Sequence, residues 1–423
     1  MFKKYTLKNG VRLIIAPREE TNAVAVMVGV AVGSRYEPEN LSGVSHFIEH
    51  MSFKGSKKRP TPSKVNDFIN DIGGIYNAYT DKELTAYHVK ISSDHLVEVL
   101  DYLSDNLINP INSKEEFNRE KNVVIEDIKM HKDRPMEEVI ELFEENIFTE
   151  KSLGRRIAGT VESVRKIKHE ELLEFEQDHY IAENIVVVIC GNLGNLTEEK
   201  VVCEAEKYFT AKSGKKSEII TSGTLDVARE VSGQRKTEQT NLIIGFAGPG
   251  LRDLEDRYAF KILAEILGGS SSSRMFVEVR EKLGLAYAAE TEHIAYSDAG
   301  SLVTLANVAH ENIEKASRAI INEYRKIVKD GPKDEEIKRA KELMKSAISI
   351  GMEDSENLAE SLMRMEIIHE KLMAPEEVIA KFEEVTAKDV IRVAKKYINF
   401  DKMLVSVVGP FLDDKKLKKI LNG

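Results

Sequence analysis

Ile167-Lys-His-Glu-Glu-Leu172-Leu173, then Tyr180, then the strand Ile185-Val-Val-Val-Ile-Cys190-Gly191 form an ordered series that the chain writes twice. It returns as Val385-x4-Val390-Ile391, Tyr397 and Leu404-Val-Ser-Val-Val408-Gly409, about 218 residues on with one residue of slippage. Such short apolar words can coincide by chance. Their flanks repeat as well, in the order strand, helix, strands, helices, helix, strand, and this favours an internal duplication. The break falls in 210–225, where Thr210 to Gly223 (TAKSGKKSEIITSG) is polar and contains Gly and Ser, as a linker does. The expectation is two α+β halves, 1–209 and 226–423, joined by 210–225.

Within the first half, Val11 to Ala16 and Asn22 to Val32 read as strands. Leu41 to Phe53 reads as a helix with Ser42 at its N-cap, and Ser63 to Ile72 as a helix stopping at Gly73-Gly74. Tyr76 to Ile91 suits a hairpin or bent strand. Helices follow over Leu96 to Leu107, Lys114 to Lys132, Met136 to Phe148 and His169 to Tyr180. In the second half, Asn241 to Phe246 reads as a strand, Arg257 to Leu267 as a helix and Tyr287 to Leu305 as strands. Helices then run to Tyr397.

With 423 residues, and roughly 100–200 per domain, one ordinary core is not enough. Apolar residues at 42% and charged residues at 31% exclude a disordered or collagen-like chain. A net charge of −10 argues against a nucleic-acid partner. Two cysteines, Cys190 and Cys203, exclude a disulfide scaffold and a four-cysteine zinc site. Cys190, in an apolar strand, is expected to be an inert buried thiol. MFKKYTLKNG has no signal-type apolar core, and the longest apolar run, Ala23 to Gly33, is about half of what spans a bilayer. The expected location is cytoplasmic, without a membrane span.

The chemistry concentrates in His46-Phe47-Ile48-Glu49-His50, inside the first strong helix. Histidines four apart share a helix face and can converge on one metal. Glu49 adjoins that face and can act as general base on a metal-bound water. This is HxxEH, the inverted form of the HExxH zinc motif. Alone, it also reads as two ordinary surface histidines. A zinc centre needs a third protein ligand, and the helix bearing Glu120-Lys-Asn-Val-Val-Ile-Glu126-Asp127 offers candidates. Glu120 and Asp127 are seven apart and return to one face; Glu126 points about a third of a turn away. One carboxylate can bind zinc while the other orients a histidine. A solvated acidic helix face is the plainer reading of the same residues. His88, His95, His131 and His293 have no convergent partners in the sequence and are assigned to surface or core. The Ser270–Ser273 run lacks Gly-x-Ser-x-Gly and reads as a loop, and Asp413-Asp414-Lys-Lys as the start of a solvated terminal helix.

Together these residues resemble the M16 metallopeptidases, the pitrilysin, insulinase and mitochondrial-processing-peptidase group, and in particular its short bacterial members. Leu41-Ser42-Gly43-Val44-Ser45 leads into HFIEH, and Met51-Ser52-Phe53-Lys54-Gly55-Ser56 follows. Gly73-Gly74-x-x-Asn77-Ala78-Tyr79-Thr80 with Thr85-x-Tyr87 is similar to the family's substrate-edge strand. Gly268-Gly269-Ser270-Ser271-Ser272-Ser273-Arg274-x-Phe276 and Arg280-Glu281-Lys282-x-Gly284-Leu285-Ala286-Tyr287 resemble its second domain. The resemblance covers essentially the whole chain. It implies two homologous LuxS/MPP-like metallohydrolase domains, each an antiparallel sheet with helices packed on one face. It implies a zinc-dependent endopeptidase that cuts peptides or unfolded segments in a chamber between the halves. His46 and His50 would be zinc ligands, Glu49 the base and Glu120 the carboxylate behind a histidine. Asn77, Ala78 and Tyr79 would pair with the peptide backbone. Arg280 and Tyr287 would reach the peptide or its oxyanion. A homodimer, or a heterodimer with a related chain, is the implied assembly. At the third ligand the chain departs from the family: a glutamate is usual seven residues after the Glu120 position, and here stands Asp127. Counted from His50, Glu126 also falls in range; helical phase favours Asp127. A zinc-free or weakly active structural or substrate-binding subunit is the alternative this departure keeps open.

Overall fold

The computed structural model describes residues 2–148, 151–216, 218, 222–224, 229–369 and 371–410. The segment after Asp413 and parts of 210–225 lie outside these. Eleven strands are described: β1 (Lys3–Thr6), β2 (Arg12–Pro17), β3 (Ala23–Val30), β4 (Ile75–Thr80), β5 (Thr85–Ser92), β6 (Ile185–Gly191), β7 (Arg229–Gln234), β8 (Thr240–Gly248), β9 (Ala286–Ala295), β10 (Gly300–Val308) and β11 (Leu404–Gly409). The helices are α1 (Val44–Met51), α2 (Pro62–Asp71), α3 (Leu96–Ile108), α4 (Lys114–Lys132), α5 (Pro135–Ile147), the short α6 (Lys151–Gly154) and α7 (Val161–Lys166), and α8 (His169–His179). There follow α9 (Glu198–Tyr208), α10 (Arg257–Gly268), α11 (Ile313–Asp330), α12 (Asp334–Gly351), α13 (Ser355–Arg364), α14 (Pro375–Glu384) and α15 (Ala387–Tyr397).

The two sheets run β1-β2-β6-β3-β5-β4 and β7-β11-β8-β10-β9. In each, one parallel pair is followed by antiparallel neighbours: β2 with β6 and β7 with β11 are parallel, and the remaining pairings along both orders are antiparallel. The repeat seen in the sequence is therefore a repeat of topology. β6 and β11, the two copies of the apolar word, hold equivalent central places. β1 has no counterpart among the described residues.

The compact units do not follow the sequence halves. One unit comprises Met1–Lys129, Arg155–Ile220 and Ser349–Ala374; the other comprises Met130–Gly154, Thr221–Ile348 and Pro375–Gly423. In the first unit, Val24, Val26, Val28 and Val30 of β3 face a core shared with Val99, Leu100 and Leu103 of α3. The opposite face of the same strand meets α13: a Cβ on Gly29 would lie 2.5 Å from Sδ of Met363. In the second unit, Leu242, Ile244 and Phe246 of β8 join one core. Ile243 packs on the other face with Val139, Phe143 and Ile147 of α5. There a Cβ on Gly245 would lie 2.7 Å from the ring of Phe143. Each half thus contributes a helix to the sheet of the other. This is why β3 is buried almost throughout and β6 entirely, as strands covered on both faces are. The one-face expectation describes each half by itself; the exchanged helix supplies the second face.

Candidate metal centre

α1 carries His46, Glu49 and His50. Its N-cap is Gly43, with φ of +95°, not Ser42. The left-handed conformation suits glycine, and a Cβ there would lie 2.6 Å from the carbonyl oxygen of Ala158. The capping acceptor comes from outside the helix. Glu37 accepts the N–H groups of Gly43 at 2.8 Å and Ser45 at 2.9 Å. Burial pushes its carboxyl up to about 7 against the pull of those two bonds. A carboxylate at this end also complements the helix dipole.

α4 lies close enough to share the site because Phe47 of α1 stacks on Phe117, with ring centroids 4.9 Å apart and planes within 12°. One helical face then delivers both carboxylates. Oε1 of Glu120 meets Nδ1 of His50 at 2.9 Å, and its Oε2 takes Lys54 Nζ at 2.8 Å. Burial acts to raise the Glu120 pKa, but the bonds to His50 and Lys54 prevail and lower it. With an ionised Glu120 accepting from Nδ1–H, the lone pair of His50 sits on Nε2. Asp127 Oδ2 lies 3.6 Å from Nε2 of His46. The imidazoles of His46 and His50 are 4.6 Å apart, edge to face.

One ligand atom from each of His46, His50 and Asp127 lies within 4.8 Å of the others. Around a tetrahedral zinc with bonds of about 2.0–2.2 Å, neighbouring ligand atoms are ~3.4 Å apart. The His46–Asp127 separation is close to that, and two imidazoles with one carboxylate gathered within 4.8 Å fit zinc in donor type. Glu126 faces outward, 70% exposed and paired with Lys129 at 2.7 Å. Of the two carboxylates that sequence counting left open, Asp127 joins the histidines.

Glu49 is half-buried beside this cluster. Burial raises its pKa, opposed by a hydrogen bond from Thr80 and by the neighbouring His50. Thr80 Oγ1 donates to Glu49 Oε2 at 2.6 Å. Thr80 stood in the quoted edge-strand motif, yet nothing in that motif signalled the contact.

Asn77, Ala78 and Tyr79 lie in β4, which ends the first sheet and pairs only with β5 among the described residues. Asn77 is exposed, and Ile75 is a large apolar side chain on the same strand with 73% exposure. Tyr79 donates to Glu360 Oε1 of α13 at 2.9 Å. Arg280 and Tyr287 belong to the second unit. The Arg280 guanidinium lies over the rings of Phe276 and Tyr287, 4.6 and 4.5 Å from their centroids. Tyr287 is 76% exposed at the start of the edge strand β9.

The remaining histidines and cysteines stand apart from the cluster. His88 pairs with Glu356 at 2.6 Å, and His293 is held by the carbonyl of Pro249 at 2.9 Å. Cys190 is buried, and burial raises its thiol to about 11. No helix among the described residues is long and apolar enough to cross a membrane.

Comparison with known proteins places the chain in a family. Residues 12–161 match the family model of insulinase, peptidase family M16, and residues 166–344 match that of the peptidase M16 inactive domain. A Rickettsia bellii protein named an uncharacterized zinc protease is 33% identical over 414 residues, covering 97% of this chain and 98% of its own. The Bacillus subtilis zinc protease YmxG, also uncharacterized, is 30% identical, covering 96% and 98%. Among solved structures, a protease from Helicobacter pylori superposes with a TM-score of 0.89 at 22% identity, covering 97% of this chain and 99% of that one. A chain of complex III2 from Candida albicans gives 0.85 at 19% identity, with 99% of each chain covered. At these identities the structural likeness establishes the fold.

Proposed function

The chain belongs to peptidase family M16, and from that premise we propose that it is a zinc-dependent endopeptidase with His46, His50 and Asp127 as metal ligands and Glu49 as general base. The observation that carries this reading is the convergence of the three ligand side chains within 4.8 Å of one another, beside Glu49. Zinc bound there would polarise the scissile carbonyl and acidify a water. Glu49 takes the proton released in the attack and passes it to the leaving amine. The raised Glu49 pKa and its partly buried setting suit a group that must both accept and return a proton. Glu120 fixes the His50 tautomer, so that the nitrogen facing the ligand cluster carries the lone pair.

The free edge of β4 suits a peptide added as a further strand, with Asn77, Ala78 and Tyr79 offering main-chain groups. Main-chain pairing tolerates many side chains, so the substrates are peptides and unfolded segments. Arg280 and the exposed Tyr287 carry a guanidinium and a phenol suited to a peptide carbonyl or its oxyanion. Enclosure of the peptide between two domains, and pairing with a second or related chain, complete the reading. A folded protein cut as fast as a peptide would refute the enclosure.

The deciding experiment compares the parent with Glu49→Gln on a quenched fluorogenic peptide mixture, with zinc per chain measured for both. Turnover in the parent only, with about one zinc in each, supports the assignment. Equal hydrolysis by both sinks the mechanism. A parent that takes up no zinc when supplied with it would instead indicate a non-catalytic, substrate-binding subunit.

A further inference from the structure

Thr80 is the last residue of β4 and pairs with Thr85 across the hairpin. Its hydroxyl occupies Oε2 of Glu49 at 2.6 Å, while Oε1 of Glu49 has no hydrogen bond among the described residues. One oxygen of the carboxylate is anchored and the other is left open. Both neighbours of Thr80 are in turn gripped by α13. Tyr79 Oη donates to Glu360 Oε1 at 2.9 Å, and Arg364 Nη1 donates to Asp81 Oδ2 at 2.8 Å. Arg364 Nε also holds Glu360 Oε1 at 2.9 Å, so one arginine ties the two grips together. The Arg364 guanidinium lies 5.5 Å from the centroid of the Tyr79 ring. Further along the hairpin, Lys90 meets Asp354 at 2.5 Å and His88 meets Glu356 at 2.6 Å.

We propose that Thr80 is a positioning residue for Glu49, and that Glu360 and Arg364 hold Thr80 in place by clamping Tyr79 and Asp81 on either side of it. The inference rests on the reading of Glu49 as general base. An unanchored glutamate samples several rotamers, and a reacting group displaced by about 1 Å can cost as much as 100-fold in rate. Thr80 restricts the carboxylate before substrate arrives. The strand that offers its edge to a peptide then also sets the orientation of the base, and a helix from the far end of the chain stiffens both.

The test uses the zinc-loaded and zinc-free full chain. For one peptide chosen from the fluorogenic mixture, kcat, KM and zinc per chain are measured for the parent, Thr80→Val, Thr80→Ser and Arg364→Ala. Valine keeps the shape and removes the hydroxyl; serine keeps the hydroxyl. Thr80→Val is expected to lower kcat 10- to 100-fold with KM and zinc content within twofold, and Thr80→Ser to recover most of the rate. In a Glu49→Gln background, adding Thr80→Val should leave peptide affinity unchanged. In zinc-free protein, Arg364→Ala should accelerate amide exchange in residues 75–84 about 10-fold. Unchanged kcat in Thr80→Val, a loss confined to KM, or no rescue by serine overturns the role of Thr80. Unchanged exchange in Arg364→Ala overturns the clamp. An inactive parent refutes the peptidase reading and this inference with it, whereas an active parent indifferent to Thr80 refutes the inference alone.

Discussion

His50 and Glu120, seventy residues apart in the chain, meet at 2.9 Å through Nδ1 and Oε1, with Lys54 closing the other carboxylate oxygen at 2.8 Å. The contact sets the tautomer and ring orientation of a proposed ligand. Glu120→Ala is therefore expected to weaken zinc binding 10- to 100-fold, in the range of about 10–100 typical for such partners. Competition with a chromogenic chelator measures it. Affinity within twofold of the parent would show that His50 is oriented by other means.

Asp127 and Glu126 give opposite expectations. Asp127 faces His46 at 3.6 Å, and Glu126 is solvated beside Lys129. Asp127→Ala should lose most of the bound zinc, as removal of one of three protein ligands does. Glu126→Ala should keep it. Mass spectrometry of the native proteins distinguishes the two; zinc lost on changing Glu126 would reverse the assignment.

The exchanged helices make two glycines unequal in their tolerance. At Gly29 the obstacle is Sδ of Met363, a flexible side chain; at Gly245 it includes the backbone oxygen of Leu302 at 2.6 Å. A methionine can shift, and a paired strand cannot. Gly29→Ala should cost ~1 kcal/mol and Gly245→Ala ~3 kcal/mol, the lower and upper ends of typical overpacking penalties. Urea unfolding followed by circular dichroism measures both; equal or reversed costs would contradict the packing described.

Glu176 is buried in α8 with Asn112 Nδ2 donating to its Oε2 at 2.6 Å, and burial raises its pKa from 4.5 to about 7. A carboxyl whose pKa is higher folded than unfolded binds its proton more tightly in the folded state. The stability it lends is complete below pH 4.5 and is lost as pH rises through about 7. The loss amounts to ~3 kcal/mol over that window. Glu37 has the same sign, so the difference between parent and Glu176→Gln isolates Glu176. In zinc-free protein the variant should lose less stability than the parent between pH 5 and 7.5; parallel curves would count against the buried proton.

Much of this was legible in the chain. The duplicated word around β6 and β11 marked two equivalent sheets. The four-residue spacing of His46 and His50 placed them on one face, and seven residues brought Glu120 and Asp127 together, because helical periodicity is written locally. At the N-terminus of α1 the local sequence offers Ser42, whereas the structure caps the helix at Gly43 with the carboxylate of Glu37 as acceptor, a partner that helical periodicity does not encode. Sequence counting alone also left Glu126 beside Asp127, for a count from His50 does not say which side of α4 faces α1.

By itself, then, the sequence determined what periodicity and repetition encode: two related halves, a histidine pair with its glutamate, and a helix carrying two carboxylates in phase. Tertiary structure alone decided the partners. Thr80 reaches Glu49 across 31 residues, and Glu360 reaches Tyr79 across 281. The exchange of α5 and α13 between the sheets was equally hidden. An amphipathic helix records in its sequence that it will cover an apolar face, and the shape of the facing strand, opened by Gly29 or Gly245, selects which face that is.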